Sequence, residues 1–423
     1  MATRSDIPSD REHFLKAAKF DTPGELALFG SLNASLWVET ARRWLGEGFP
    51  EHLRPTLVLA AVGLGSADLD SYFKFRTLHK VGEIGCTFGW VKEFTSGELS
   101  LDLIHAAPPE DLLGLLGGGS ENSVPVWPRF DETVLAEDER SITTLDPIGR
   151  TRKSVKGSSA MPCFLDYPVK DRHDWEEYKK RLDPHSPERW PPDWAGFAKK
   201  INSSDIPSMI MIPGFFGLPR EWMGLEELLF AFHDEPAWVE EMMDHILEFD
   251  LVMMERLLAD VRIEAVQIWE DMCYRAGPLV SPETFRKFLL PRYQKLTEML
   301  RSRGVEVICV DSDGNVDDLA PLWIEGGVNA LWPLEIAAGC DPVAMRKRFG
   351  RDLILMGGID KRAIAEGGQA IEREVMSKVP FLLESGGYLP GPDHNVPPDV
   401  SFANYCVYVD AMRTAAGLDK LFS

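Results

Sequence analysis

From about residue 205 the chain repeats one unit: a short apolar run, a polar turn, then an amphipathic stretch long enough for a helix. This rhythm constrains the fold more than any other feature, because two parallel strands need a crossover of a dozen or more residues, normally a helix. The runs are PSMIMIPG (207–214), EAVQIWED (264–271), VEVICVDS (305–312), VNALWPLE (328–335), DLILMGGI (352–359) and GGYLPGPD (386–393). Between them, EPAWVEEMMDHILEFDLVMMERLLADV (235–261) and SPETFRKFLLPRYQKLTEMLRSR (281–303) have helical periodicity. Each opens with an acidic or serine residue suited to capping a first turn. No GxGxxG follows any run, so an open dinucleotide-binding sheet lacks its fingerprint. The pattern predicts an α/β chain built as a (β/α)8 TIM barrel.

Upstream the pattern is less regular. A helix over 10–19 forms an N-terminal extension, ELALFGSLN starts the first barrel unit, and VETARRWLGEGF reads as its helix. Residues 107–128 are rich in Pro and Gly, with GGGS at 117–120 as a loop, and 127–157 alternates like a β-hairpin arm. The expectation is one barrel domain over 1–423 with an inserted excursion at about 90–160. The 423 residues, 44% of them hydrophobic, suffice for so large a core.

The formal charge of -22 argues against a nucleic-acid ligand, which needs clustered Lys and Arg, and against adhesion to anionic lipid. No apolar run approaches the roughly 20 residues that span a bilayer. The polar start MATRSDIPSDREHF has no secretory core, and the six cysteines are scattered without a CxxC pair. Both features predict a cytoplasmic protein with reduced thiols.

In a barrel of this kind reactive groups stand at the C-terminal ends of the strands. Those ends carry Glu270 and Asp271, Asp311 and Asp313, Glu335, Asp360, and Asp393 with His394. Asp317 and Asp318 read as first-turn helix charges, Asp360 as a cap, and Asp313, before Gly-Asn, equally as a turn residue or a site group. Converging carboxylates and a histidine can hold a divalent metal or share protons as acid and base. Asp311 and Asp313, two apart, project to one side of an extended strand. Phe215, Phe216, Trp269, Tyr274, Trp332 and Tyr388 near the same rim suggest a pocket for a flat organic molecule. Arg220 and Arg275 are candidates for holding an anionic group.

Four segments, WEDMCYRAGPLVSPETFRKFLLPRYQKL, DSDGNVDDLAPLWIEGGVNALWPLE, LILMGGIDKRAIAEG and GGYLPGPDHNVPPDVSFANY, resemble in this order the uroporphyrinogen decarboxylase superfamily. The resemblance implies a TIM barrel. It also implies one of two chemistries: cofactor-free decarboxylation of a porphyrinogen, or methyl transfer to or from a corrinoid protein, commonly with zinc. The porphyrinogen decarboxylases grip their substrate with an Arg-rich stretch near the first strand. TPGELALFGSLNASLWVETARRW has no arginine at that strand end, which argues against a polyanionic substrate. The thiol-directed zinc enzymes carry a His-x-Cys-Gly-Asn type motif where this chain has Asp311, Ser312, Asp313, Gly314 and Asn315, and their later cysteine falls near Asp393 and His394. Asp, Glu and His make a harder site than thiolates, better suited to polarising oxygen.

The resemblance thus implies an O-demethylase component, moving a methyl group from a small methoxylated aromatic substrate to the Co(I) corrinoid, a cobalamin, of a partner protein. On this expectation Glu270, Asp311 and His394 bind Zn2+ or share the acid proton, Asp313 and Asp393 orient them, and Tyr274 lies near the leaving oxygen. Phe215, Phe216, Trp269, Arg275, Trp332, Glu335 and Tyr388 would contact the substrate. No Asp-x-His-x-x-Gly is present, so the corrinoid arrives on another polypeptide. Family membership implies a homodimer. Two alternatives are a metal-free decarboxylase or lyase of a small aromatic acid, and a corrinoid- or tetrapyrrole-binding protein that is not an enzyme.

Overall fold

Seven parallel strands follow one another around the molecule, each paired in register with the next. The computed structural model describes residues 9–33, 35–54, 56–57, 67–80, 124–156, 158 and 161–422. Of the expected excursion, residues 90–123, with GGGS at 117–120, lie outside the described residues, as do 157, 159 and 160. The strands of the main sheet are β1 (His79–Lys80), β6 (Ser208–Pro213), β7 (Ala265–Trp269), β10 (Val307–Asp311), β11 (Ala330–Trp332), β12 (Ile354–Ile359) and β13 (Tyr388–Pro392), ordered β1-β6-β7-β10-β11-β12-β13. Four further strands, β2 (Thr133–Glu137), β3 (Ser141–Leu145), β4 (Thr151–Val155) and β5 (Cys163–Asp166), form an antiparallel sheet, and β8 (Cys273–Tyr274) pairs with β9 (Gly277–Pro278).

Residues 28–30 supply the remaining stave. Phe29 bridges Arg76 in parallel, with Gly30 N donating to Arg76 O at 2.9 Å and Arg76 N to Leu28 O at 2.7 Å. Buried Asn33 ties this stave to β13: its Nδ2 donates to Phe29 O (3.0 Å) and Pro390 O (2.9 Å), while Tyr408 OH donates to its Oδ1 (2.9 Å). The buried polar group is thereby satisfied and the seam of the barrel is pinned.

Two apolar clusters follow from the period-2 alternation of each strand. Ala27, Phe29, Leu78, Met209, Ala265, Val307, Cys309, Ala330, Ile354, Met356 and Leu389 form the barrel interior, with Phe14, Ala17, Ala18 and Phe20 from the N-terminal extension packed on them. Their neighbours Ile210, Ile212, Val266, Ile268, Ile308, Val310, Leu331, Leu355 and Ile359 belong to the layer between strands and helices. A filled interior with apolar residues also behind the sheet is what a (β/α)8 barrel requires. The helix Asp10–Ala18 starts with a capping box, Ser9 and Glu12 each accepting the other's backbone amide. Asp360 caps Lys361–Glu366 through Arg362 N, as its position before that helix predicted.

Candidate active site

The alternation decides which strand-end groups face the mouth. Val307 and Cys309 point inward, so Asp311 continues their row, and in β7 Ala265 sets the row of Gln267 and Trp269. Asp311 stands in register between Trp269 and Trp332. Its carboxylate is buried and accepts Gln267 Nε2 on Oδ2 at 2.7 Å. Gln267 was not anticipated from sequence, because a lone glutamine in an apolar run carries no signal until register is known.

Glu270, one residue beyond the inward row, turns the other way. It is fully buried, and its Oε1 accepts Phe215 N (3.0 Å) and Tyr293 OH (2.5 Å) while Oε2 accepts Phe216 N (2.8 Å) and Gly217 N (2.9 Å). Burial raises its pKa, against the opposing pull of the Tyr293 hydroxyl and the three amides. Gly214 is required there, since a Cβ would lie 2.3 Å from the Glu270 carboxyl carbon. Glu270 therefore shapes the turn after β6 instead of serving as a metal ligand or acid, which corrects the sequence expectation.

The expected zinc set is not assembled. Glu270 lies in the helix-facing layer, Asp311 inside the barrel and His394 at the mouth; among the described residues no three His, Cys, Asp or Glu side chains are placed to hold a metal ion. These residues do not fit one ion. Phe215 and Phe216 are likewise core, Phe215 edge-on to Tyr293 at 5.3 Å, and buried Tyr388 donates its hydroxyl to Gly357 O at 3.0 Å behind the sheet. All three side chains are buried in the core, against the expectation that they line a substrate pocket. Tyr274, 67% exposed, and exposed Arg275 lie on the β8–β9 hairpin, outside the cavity lining.

The mouth opens on a cavity of about 670 Å³. Apolar Trp37, Met161, Pro397 and Pro398 line it together with polar Ser158 and Asn395 and the ionisable Glu39, Asp313, Glu335, Lys361 and His394. His394 Nε2 lies 3.5 Å from Asp313 Oδ1, and its ring stacks near Trp332 at 6.0 Å. Burial alone would lower the imidazole pKa, but the facing Asp313 carboxylate outweighs it, so the pKa is raised.

Two carboxylates and one lysine lock four successive strand ends together. Glu335 accepts Gly314 N on Oε2 (3.0 Å) and Lys361 Nζ on Oε1 (3.0 Å). Asp393, fully buried, accepts Ile336 N on Oδ2 (2.9 Å) and Lys361 N on Oδ1 (3.0 Å), with Lys361 Nζ 3.7 Å away. Burial raises the Asp393 pKa and Lys361 opposes that rise. Lys361 was missed from sequence, since a basic residue after a helix cap reads as solvated. On the other side of the mouth, Arg220 Nη1 donates to Asp271 O at 2.5 Å while its guanidinium lies 5.3 Å from the Trp269 ring. Asp271 adopts φ +46, and its pKa is raised by burial, against Arg220 and with Asp313.

The loop bearing Asp313 is held by backbone proximity. Gly314 has φ +86, and a Cβ there would lie 2.6 Å from Cys273 C of the hairpin. Asn315 N donates to Tyr274 O at 3.0 Å, and Cys340 Sγ to Gly314 O at 3.3 Å. Tyr274 thus contributes its backbone to the site.

Residues 163–415 match the family model described as Uroporphyrinogen decarboxylase (URO-D). Among solved structures, a methyltransferase from Methanosarcina mazei aligns over 97% of this chain and 99% of its own, with a TM-score of 0.54 and 15% identity, a likeness of fold. No protein of curated function matches significantly. Among the described residues no helix is long and apolar enough to cross a membrane.

Proposed function

The chain belongs to the uroporphyrinogen decarboxylase family, and from that premise we propose that it is a methyltransferase moving a methyl group from a small methoxylated aromatic substrate to the Co(I) corrinoid of a partner protein. One observation carries the reading: a histidine faced by Asp313, which raises its pKa, lines a cavity that Trp37, Met161, Pro397 and Pro398 also line. Such a pair is a proton donor for an oxygen leaving an apolar group.

The arene would lie against Trp37, Met161 and the two prolines, its ether oxygen toward His394. Cleaving an aryl ether without a proton releases a phenolate, whose conjugate acid has a pKa of about 10. As the methyl-oxygen bond breaks and the electron pair stays on oxygen, His394 passes its proton there and a neutral phenol departs. Asp313 holds the imidazolium until that moment and stabilises its charge. Asp311 lies inside the barrel, in register between Trp269 and Trp332 and bonded to Gln267.

When bound, the reduced corrinoid supplies the nucleophile that takes the methyl group. A cavity of about 670 Å³ falls in the roughly 300–1,000 Å³ range of small-ligand pockets. The substrate fits inside; a corrin macrocycle would meet the mouth from without, where Met161 and Tyr274 are exposed. A porphyrinogen fits poorly, because its many carboxylates would face Asp313 and Glu335.

The test is spectral: purified full-length protein, anaerobic Co(I) cobalamin and a panel of methoxyarenes. Formation of methylated cobalamin together with the matching phenol is expected. Neither product with any ether, when the chain is folded and its own corrinoid partner is supplied, overturns the reading and favours the decarboxylase alternative.

A further inference from the structure

We propose that the cavity selects a methyl donor without negative charge, a neutral methoxyarene, and turns away the same ring bearing a carboxylate. This deepens the methyl-transfer reading and rests on it. Among the described residues lining the cavity, the cationic side chains are Lys361 and His394. Lys361 Nζ is engaged by Glu335 at 3.0 Å and Asp393 at 3.7 Å, and His394 faces Asp313 at 3.5 Å. The two arginines that sequence offered as anion holders do not serve. Arg220 is committed to Asp271 and the Trp269 ring, and Arg275 projects from the β8–β9 hairpin outside the lining.

Among the described lining residues, an arriving carboxylate would therefore meet Asp313 and Glu335 and find both cations already engaged. Recruiting Lys361 would strip the positive charge from two carboxylates, one of them fully buried in Asp393. Removing one partner from a buried ionic cluster is costly because the other charge stays buried. Recruiting His394 would separate it from Asp313 and occupy the proton donor itself. A neutral ring asks for neither exchange, and the apolar Trp37, Met161, Pro397 and Pro398 suit it.

The experiment compares a dimethoxybenzamide with the dimethoxybenzoate of the same ring pattern, near-isosteres differing in charge, by titration calorimetry on the full chain. The amide is expected to bind at least about tenfold more tightly, the size of one repulsive contact across several ångströms at intermediate dielectric. Asp313→Asn, which removes a wall charge without breaking a backbone hydrogen bond, is expected to narrow that gap. Equal or tighter binding of the benzoate overturns the proposal, as does binding of neither compound. Turnover to the phenol, followed in parallel, separates the two claims. Amide-selective binding with no phenol formed from any methoxyarene, the chain's own corrinoid partner being supplied, sinks methyl transfer and leaves charge selection standing, while benzoate turnover at equal affinity does the reverse.

Discussion

His394 and Asp313 face each other across the barrel mouth, Nε2 to Oδ1 at 3.5 Å, although they follow different strands, β13 and β10. The carboxylate raises the imidazole pKa against the effect of burial. Asp313→Asn should therefore move the His394 titration to lower pH, read from its imidazole proton resonances. Activity should require the protonated form and fall as pH rises through the His394 pKa, and in Asp313→Asn that alkaline limb should start earlier. An unmoved titration would mean the pair is not coupled.

Lys361 lowers the His394 pKa while Glu335 raises it. Lys361→Met should accordingly push the His394 titration to higher pH than in the parent chain. It should also lower Tm, since the buried Asp393 carboxylate loses its neighbouring ammonium. A variant with the parent's titration would assign Lys361 to structure alone.

Glu270 makes a different prediction from the acids of the mouth. Glu270→Ala leaves three buried amides and the Tyr293 hydroxyl without an acceptor, and at about 1–3 kcal/mol per orphaned group the loss should reach about 4 kcal/mol or more. Denaturant titration measures it. A variant as stable as the parent would contradict the structural role, and a specific loss of bound metal would restore the ligand role.

Two carboxyls away from the mouth tie stability to pH. Asp250 is fully buried with neither oxygen hydrogen-bonded among the described residues, and its pKa is raised by burial and by the Glu270 charge. Asp70 is raised to about 7 by burial, which outweighs its Thr77 hydrogen bond. Both folded-state pKa values lie above the unfolded ones, so the folded chain retains protons that the unfolded chain has released. Stability is fully present below about pH 4 from these groups and declines as pH rises toward the folded pKa. Asp70→Asn should flatten the decline between pH 4 and 7, by up to about 4 kcal/mol for a carboxyl raised to about 7. Thermal melts across that range decide it; an unchanged slope would contradict the assignment.

The barrel was legible because strand length, helix periodicity and caps all agree from 205 onward, each signal being local. The stave at 28–30 was legible only as an apolar start, since its partners lie at Arg76 and Pro390, and no local pattern encodes that seam. Asp311, Asp313, Glu335, Asp393 and His394 do gather near one rim, yet their neighbours depend on register. Glu270 and Asp311 look alike in sequence, each ending an apolar run, but Asp311 pairs with Trp269, so Glu270 falls one residue out of phase and faces the helices. A one-residue slip exchanges faces, which is why composition at a strand end could not separate the two. Phe215, Phe216 and Tyr388 misled for the same reason. Lys361 escaped notice because its role comes from the Asp393 carboxylate holding its backbone amide.

The measurement that bears most directly on proton delivery by His394 compares leaving groups. Methyl transfer to Co(I) cobalamin would be timed for a plain anisole and for a nitroanisole, whose phenol is far more acidic, in the parent chain and in His394→Gln. If His394 protonates the departing oxygen, the substitution should slow the anisole by on the order of a hundredfold or more and barely affect the nitroanisole, which leaves without help. Equal slowing of both ethers, or of neither, would contradict proton delivery by His394.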